Sequence, residues 1–169
     1  MSSEVSVAEA VRVRVAGKIN LALLSSKRRP DGYHSLATVF QAVSVYDEIE
    51  ARWAPPGSFS VRVIGDQAAR VPTDESNLAL RAARLLRDLV ATGPVGVELL
   101  IRKSIPVAGG MAGGSADAAG ALLACAVLWD LDVSPEELAE FGARLGAAVP
   151  FCLTGGTALG AGRGDQLAP

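Results

Sequence analysis

The sequence predicts an α+β domain, and three observations carry that prediction. Extended, alternating segments come in a run over the first third of the chain instead of alternating one for one with helices. Apolar residues at helical spacing begin only after Ser76 and Asn77. Half of the 169 residues are hydrophobic, enough for a core of ordinary domain size.

The elements follow in order. Residues 11–15, VRVRV, alternate strictly and read as a half-buried strand. The next stretch, GKINLALL, continues that strand or pairs with it, with Lys18, Asn20 and Ala22 on one face and Ile19, Leu21 and Leu23 on the other. SSKRRPDGYH is a loop, marked by Pro30 and the Asp31-Gly32 turn signal. Residues 36–45 are rich in β-formers and read as a long strand. Two shorter strands, 47–53 and 58–64, are separated by Pro55-Pro56-Gly57. A helix starts behind Asn77, with Leu78, Ala82, Leu85, Leu86 and Leu89 on one face and Arg81, Arg84, Arg87 and Asp88 facing away. Residues 95–102 form another strand. A glycine-rich stretch leads into a helix over about 114–129, whose Ala118, Ala119, Leu122 and Ala126 suit tight packing on a sheet. Ser134-Pro135-Glu136-Glu137 is a helix start with the makings of a capping box; that helix ends near Leu145-Gly146. Residues 151–164 read as a final strand or hairpin.

Composition narrows the function classes. Net charge is −2 and aromatics make up 5% of the chain. That balance argues against a nucleic-acid surface, which shows as a basic patch with stacking rings. Cys125 and Cys152 lie in apolar surroundings and read as core residues. One histidine and two isolated cysteines make a poor zinc site. The first ten residues lack the basic start of a signal peptide, and the most apolar run, 118–129, is too short to span a bilayer. The expectation is a cytoplasmic protein with no nucleic-acid or membrane partner.

IPVAGGMAGGSADAAG, residues 105–120, is the stretch that asks for chemistry. Glycine inside an element costs roughly 0.5–1 kcal/mol relative to alanine, so a cluster of it answers a geometric demand. One reading is a tight turn. The other is an anion site, because a helix N-terminus presents unpaired N–H groups and partial positive charge, and glycines let phosphate approach them. No Gly-Lys-Ser/Thr follows, so it is not a Walker loop, and the Rossmann glycine spacing is absent.

This stretch resembles the second, phosphate-cradling motif of the GHMP small-molecule kinases. VAGKINLALL, residues 15–24, resembles their first motif. RPDGYHSLATVFQAV, residues 29–43, resembles the branch acting on a cytidine-diphosphate-linked methylerythritol, and LGAAVPF and GGTALGAGRGDQLAP resemble the segments that follow. The resemblance implies a ribosomal-S5 domain-2-like fold, a mixed sheet with helices on one side. It implies a flexible N-terminus over 1–10 and an ATP-binding domain over 11–169, with the family's C-terminal domain outside these residues. The implied reaction is ATP-dependent phosphorylation of the substrate's 2-hydroxyl in non-mevalonate isoprenoid precursor biosynthesis. ATP would act as its Mg²⁺ complex, the metal-holding residues being unassigned; no oligomeric state is implied.

The resemblance also carries roles to positions. Gly109, Gly110, Met111, Ala112, Gly113, Gly114 and Ser115 would cradle the triphosphate, with capping of the helix an equal reading for Ser115. Asn77, Leu78, Lys103 and Val107 would lie on the adenine side; Asn77 also reads as a helix cap and Lys103 as a solvated lysine. Lys18 matches the active-site lysine and Asn20 a substrate-contacting asparagine. Tyr33 and His34 match the pair that holds the cytosine ring. Asp117 reads mainly as a first-turn acid, with Mg²⁺ as the other reading. One position departs from the pattern: the family's catalytic aspartate lies in Gly-x-Asp-Val-Pro, and this chain has Ala148 there, in Gly146-Ala147-Ala148-Val149-Pro150. The rival expectations are a non-catalytic nucleotide-binding module and, on topology alone, an RNA-binding domain.

Overall fold

The computed structural model describes residues 9–28 and 34–168, without the side chains of 25–28 and 34–36. The sheet is built around one long strand. β1 (Ala10–Arg28) and β2 (His34–Trp53) pair antiparallel along their whole length. The other edge of β2 is shared: its C-terminal half pairs antiparallel with β4 (Val97–Arg102), and its N-terminal half with β5 (Thr157–Ala161). β3 (Phe59–Ile64) lies parallel to β4, and β6 (Gln166–Ala168) closes a hairpin with β5. The sheet is therefore mixed. Sequence reading left open whether residues 17–24 continue the first strand and divided β2 at about residue 46; in the fold each is continuous, because every residue of the pair finds a ladder partner or sits at a bulge.

The strands alternate as a one-sided sheet requires. Val97, Leu99 and Ile101 of β4 are fully buried with Ile49 and Ala51 of β2. The opposite face carries charge: Arg12 and Arg52 both donate to Glu50 at 2.5 Å, and Arg102 to Glu48 at 3.0 Å. The helices cover the apolar face. α1 (Leu78–Val90) and α2 (Gly113–Leu128) join one core with the strands, and α3 (Pro135–Leu145) and α4 (Val149–Thr154) pack beside α2.

Local chemistry sets the helix starts. Asn77 caps α1, its Oδ1 accepting from the N–H groups of Ala79 and Leu80. Ser134 and Glu137 form the full capping box of α3, with Pro135 in its first turn. α2 behaves differently. Its N-cap is Ala112, in the left-handed region at φ 57°, and no side chain caps it. The expected strand or hairpin over 151–164 is half wrong. Residues 149–154 form α4, with Pro150 in its first turn, and only from Thr157 does the chain re-enter the sheet. Pro150 lacks the N–H a ladder needs but suits a helix start.

Candidate phosphate site

The loop between β4 and α2 holds unusual backbone. Ala108, Gly110 and Ala112 all have positive φ, at 60°, 74° and 57°. Left-handed geometry costs an alanine about 1–2 kcal/mol. Two such alanines in one short loop mean the surroundings impose the shape, as they do where backbone N–H groups are arrayed for a ligand. The crest, residues 108–110, is exposed, and Gly114 in the first turn of α2 is exposed as well. Ser115 sits half-buried in that first turn and makes no cap, so the N–H groups there have no side-chain acceptor.

β1 ties down the loop's far side. A bulge between Ala16 and Lys18 breaks the pairing with β2, and the freed N–H of Lys18 donates to the Met111 carbonyl at 3.0 Å. The bulge also changes which way Lys18 faces. Arg12 and Arg14, at the same parity, are exposed, whereas Lys18 is buried. Its ammonium donates to the Gly110 carbonyl at 2.9 Å and to Asn20 Oδ1 at 2.7 Å, and lies 5.5 Å from the centre of the Phe40 ring. Burial holds the Lys18 pKa below the ordinary lysine range. Asn20 is oriented in turn by donating to Thr38 Oγ1 at 2.6 Å. The first and second motifs, some ninety residues apart, thus meet at one ammonium.

Beneath the loop lies a buried charged cluster. Lys103 Nζ donates to Asp47 Oδ2 at 2.5 Å and to Asp117 Oδ2 at 2.8 Å, and all three side chains are almost wholly enclosed. Asp47 Oδ1 accepts from the N–H groups of Ser104 and Ile105, at 2.6 and 2.8 Å, which fixes the chain where it enters the loop. Burial pushes the Asp117 carboxyl up to about 7, with Lys103 opposing and Asp47 adding to the rise. Two readings are corrected here. Lys103 is not solvated, and Asp117 is not a simple first-turn acid but a buried one paired with Lys103 through Oδ2.

The four residues expected on the adenine side come together. Lys103 and Val107 line a cavity of about 150 Å³, Asn77 and Leu78 one of about 190 Å³, and the two share Val71, Pro72, Gly114 and Asp117 as walls. The Asn77 side chain is already spent on capping α1 and on donating to the Pro72 carbonyl at 2.7 Å. The Val107 N–H donates to Gln67 Oε1 at 2.8 Å. A larger cavity of about 430 Å³, between α2, α3 and α4, contains none of the expected site residues.

Ala148 is the N-cap of α4, half-buried, with no side chain to reach the site. Cys152, one turn on, donates its N–H to the Ala148 carbonyl, and the Lys18 charge acts on its thiol, which burial pushes up to about 12. A Cβ built on Gly146, two residues before Ala148, would stand 3.8 Å from Ser115 Oγ, so this segment lies beside the first turn of α2. Tyr33 lies outside the described residues; His34 opens β2 opposite Arg28, and its side chain is outside them too.

Sequence reading missed the roles of Asp47 and Asp117, although parity signalled them. Asp47 shares core-facing parity with Ile49 and Ala51, Lys103 with Val97, Leu99 and Ile101, and Asp117 is the one charged residue of α2. Charges on apolar faces have to be paired.

With the geometry in place, the comparisons decide the family. Residues 77–156 match the GHMP kinases N terminal domain. The chain carries a GHMP kinase N-terminal domain. It is 55% identical over 163 residues to a 4-diphosphocytidyl-2-C-methyl-D-erythritol kinase of Cutibacterium acnes, covering 94% of this chain and 53% of that protein. With the protein of the same name from Mycolicibacterium smegmatis it shares 54% over 167 residues, covering 99% of this chain and 51% of that one. This GHMP domain also superposes on a crystal structure of 4-(cytidine 5'-diphospho)-2C-methyl-D-erythritol kinase with a TM-score of 0.73 at 37% identity, covering 94% of this chain and 55% of that one. A homoserine kinase from Cytophaga hutchinsonii has the same fold, with a TM-score of 0.69 at 20% identity. The chain spans about half the length of the curated relatives it matches.

Proposed function

We propose that this GHMP domain binds the triphosphate of ATP, as its Mg²⁺ complex, at the N-terminus of α2. As part of a 4-diphosphocytidyl-2-C-methyl-D-erythritol kinase it would direct the γ-phosphate to the substrate's 2-hydroxyl. The observation that carries the reading is the loop itself: strained residues 108–112 lead into an uncapped helix start, with the Lys18 ammonium bound to the Gly110 carbonyl. Phosphoryl transfer depends mostly on positioning and charge stabilisation, and these residues supply both. The loop N–H groups and the α2 N-terminus hold the β- and γ-phosphates. Lys18 offsets negative charge as the hydroxyl oxygen attacks. Asn20, Tyr33 and His34 hold the cytidine-linked substrate, and the paired cavities beside Lys103 and Val107 receive adenine. Mg²⁺ neutralises the phosphates when bound; no residue of this chain is assigned to it. The setting is the cytoplasm, with a small-molecule substrate and no nucleic acid.

Titration of the 169-residue chain with a non-hydrolysable ATP analogue tests the reading. Saturable binding that Gly114→Val weakens at least tenfold supports it; binding that Gly114→Val leaves unchanged would mean the loop is only a turn.

A second reading rests on Ala148. An alanine cannot take the proton of the attacking hydroxyl, so a domain with this residue would bind nucleotide and transfer phosphate poorly. Turnover in a full-length relative carrying either alanine or aspartate at this position separates the two readings.

A further inference from the structure

The charge count beneath the loop is unbalanced. Asp47, Lys103 and Asp117 enclose two carboxylates around one ammonium, with side-chain exposures of 0%, 3% and 3%. With both acids ionised the cluster carries one net negative charge in a dry place, which is costly. Its hydrogen bonds are unbalanced too. Both Asp47 oxygens and Asp117 Oδ2 are used, but Asp117 Oδ1 is buried without a partner. The cluster lies directly under the proposed phosphate site: a Cβ built on Gly113, the first residue of α2, would stand 2.8 Å from Lys103 Nζ. A negative cluster under an anion site is a conflict that one proton resolves.

We propose that Asp117 takes up a proton when a triphosphate binds at the α2 N-terminus, which neutralises the cluster beneath it. The inference rests on the phosphate-site reading above. Asp117 acts through charge and does not touch phosphate; it is a positioning residue for the loop. Its surroundings leave it as the group that responds. Lys103, just past the end of β4, and Asp47, within β2, face it. Cys152 faces it from α4 as a neutral thiol, its titration pushed up to about 12 by burial. Arg70 shares one cavity beside it, and Ser76, Asn77 and Leu78 line the other from the α1 side, none of them a charged group. The rise of the Asp117 carboxyl to about 7, caused first by burial, sets the range in which the effect is readable. By linkage, a ligand that raises proton affinity must itself bind more weakly as protons become scarce.

Calorimetric titration of the chain with adenylyl imidodiphosphate and Mg²⁺ at pH 7.5, in two buffers of different ionisation enthalpy, counts the protons exchanged. Wild type should take up about half a proton, and its affinity should fall at least threefold between pH 6.5 and 8.5. Asp117→Asn should show neither the uptake nor that pH dependence, with the ligand's own titration common to both proteins. Equal proton counts in wild type and D117N, or none in wild type, would overturn the inference while leaving the phosphate site standing. Absence of binding by either protein would overturn the phosphate-site reading and the inference with it.

Discussion

Gly113 and Gly114 are adjacent in sequence and face opposite ways, and that difference separates packing from binding. Gly113 is buried, and a Cβ there would meet Lys103 Nζ at 2.8 Å and Ile105 at 3.2 Å. Gly114 is exposed, and its Cβ would meet only Leu78, at an ordinary 3.5 Å. On sequence alone Gly113→Val would be chosen as the variant that blocks phosphate while the fold is kept; the structure moves that role to Gly114. Gly113→Ala should destabilise the domain by about 1–3 kcal/mol through overpacking, read in a urea titration. Gly114→Val should leave the urea midpoint nearly unchanged and weaken the ATP analogue at least tenfold, about 1.4 kcal/mol. Asp117 adds a pH dependence of opposite sign to an ordinary salt-bridged acid. Its native carboxyl titrates near 7, above the usual 3.8. The native state therefore binds the proton more tightly, and this contribution to stability is full below the unfolded pKa and lost as pH rises through about 7. Urea midpoints from pH 4.5 to 8 should fall more for wild type than for Asp117→Asn; a parallel fall would remove Asp117 as the source.

The helix starts are where element stability and site geometry coincide. Asn77 fixes the first turn of α1 with two hydrogen bonds and ties it to the Pro72 carbonyl with a third, and that turn walls one of the paired cavities. Asn77→Ala should cost about 1–2 kcal/mol of stability, while Asn77→Asp keeps the capping acceptor and loses the donation to Pro72. If ATP-analogue affinity follows stability across the two variants, the role of Asn77 is to shape the wall; a loss of affinity in Asn77→Asp with stability retained would mean that the amide meets the nucleotide. The β1–β2 pair carries the other half of the site. Its far end presents Leu21, Leu23 and Leu24 to solvent, and Tyr33 and His34 are the residues we propose to read the cytidine. Tyr33→Ala should weaken a cytidine diphosphate ligand by about 1–3 kcal/mol, the usual worth of one stack, and leave ATP-analogue binding unchanged. Equal losses for both ligands would remove the assignment.

At the scale of the molecule the question is transfer. A general base contributes typically 10²–10⁴-fold in rate, and Ala148 cannot act as one. In a full-length relative, alanine at this position should lower turnover by about that factor relative to aspartate, with the KM for ATP little changed, because the loop and Lys18 are untouched. Equal turnover would place the acid elsewhere.

Sequence alone determined the α+β class, the start of α1 at Asn77, the α3 capping box and the glycine loop, because each depends on chemistry within a few residues. It also placed Cys125 and Cys152 in the core, since burial follows from apolar surroundings. Tertiary structure decided what depends on distant partners. The continuity of β2 rests on β1, β4 and β5 pairing along it, and no local signal shows that. The helix over 149–154 follows from packing of Phe151 against Phe40, with ring centres 5.0 Å apart, and a glycine-rich tail hides it. The inward turn of Lys18 follows from a bulge that only its strand partner reveals. Lys103 is buried because Asp47, 56 residues away, and Asp117, 14 away, converge on one ammonium. Periodicity can show that a charge falls on an apolar face; which charges meet there is set by the packing of strand against helix.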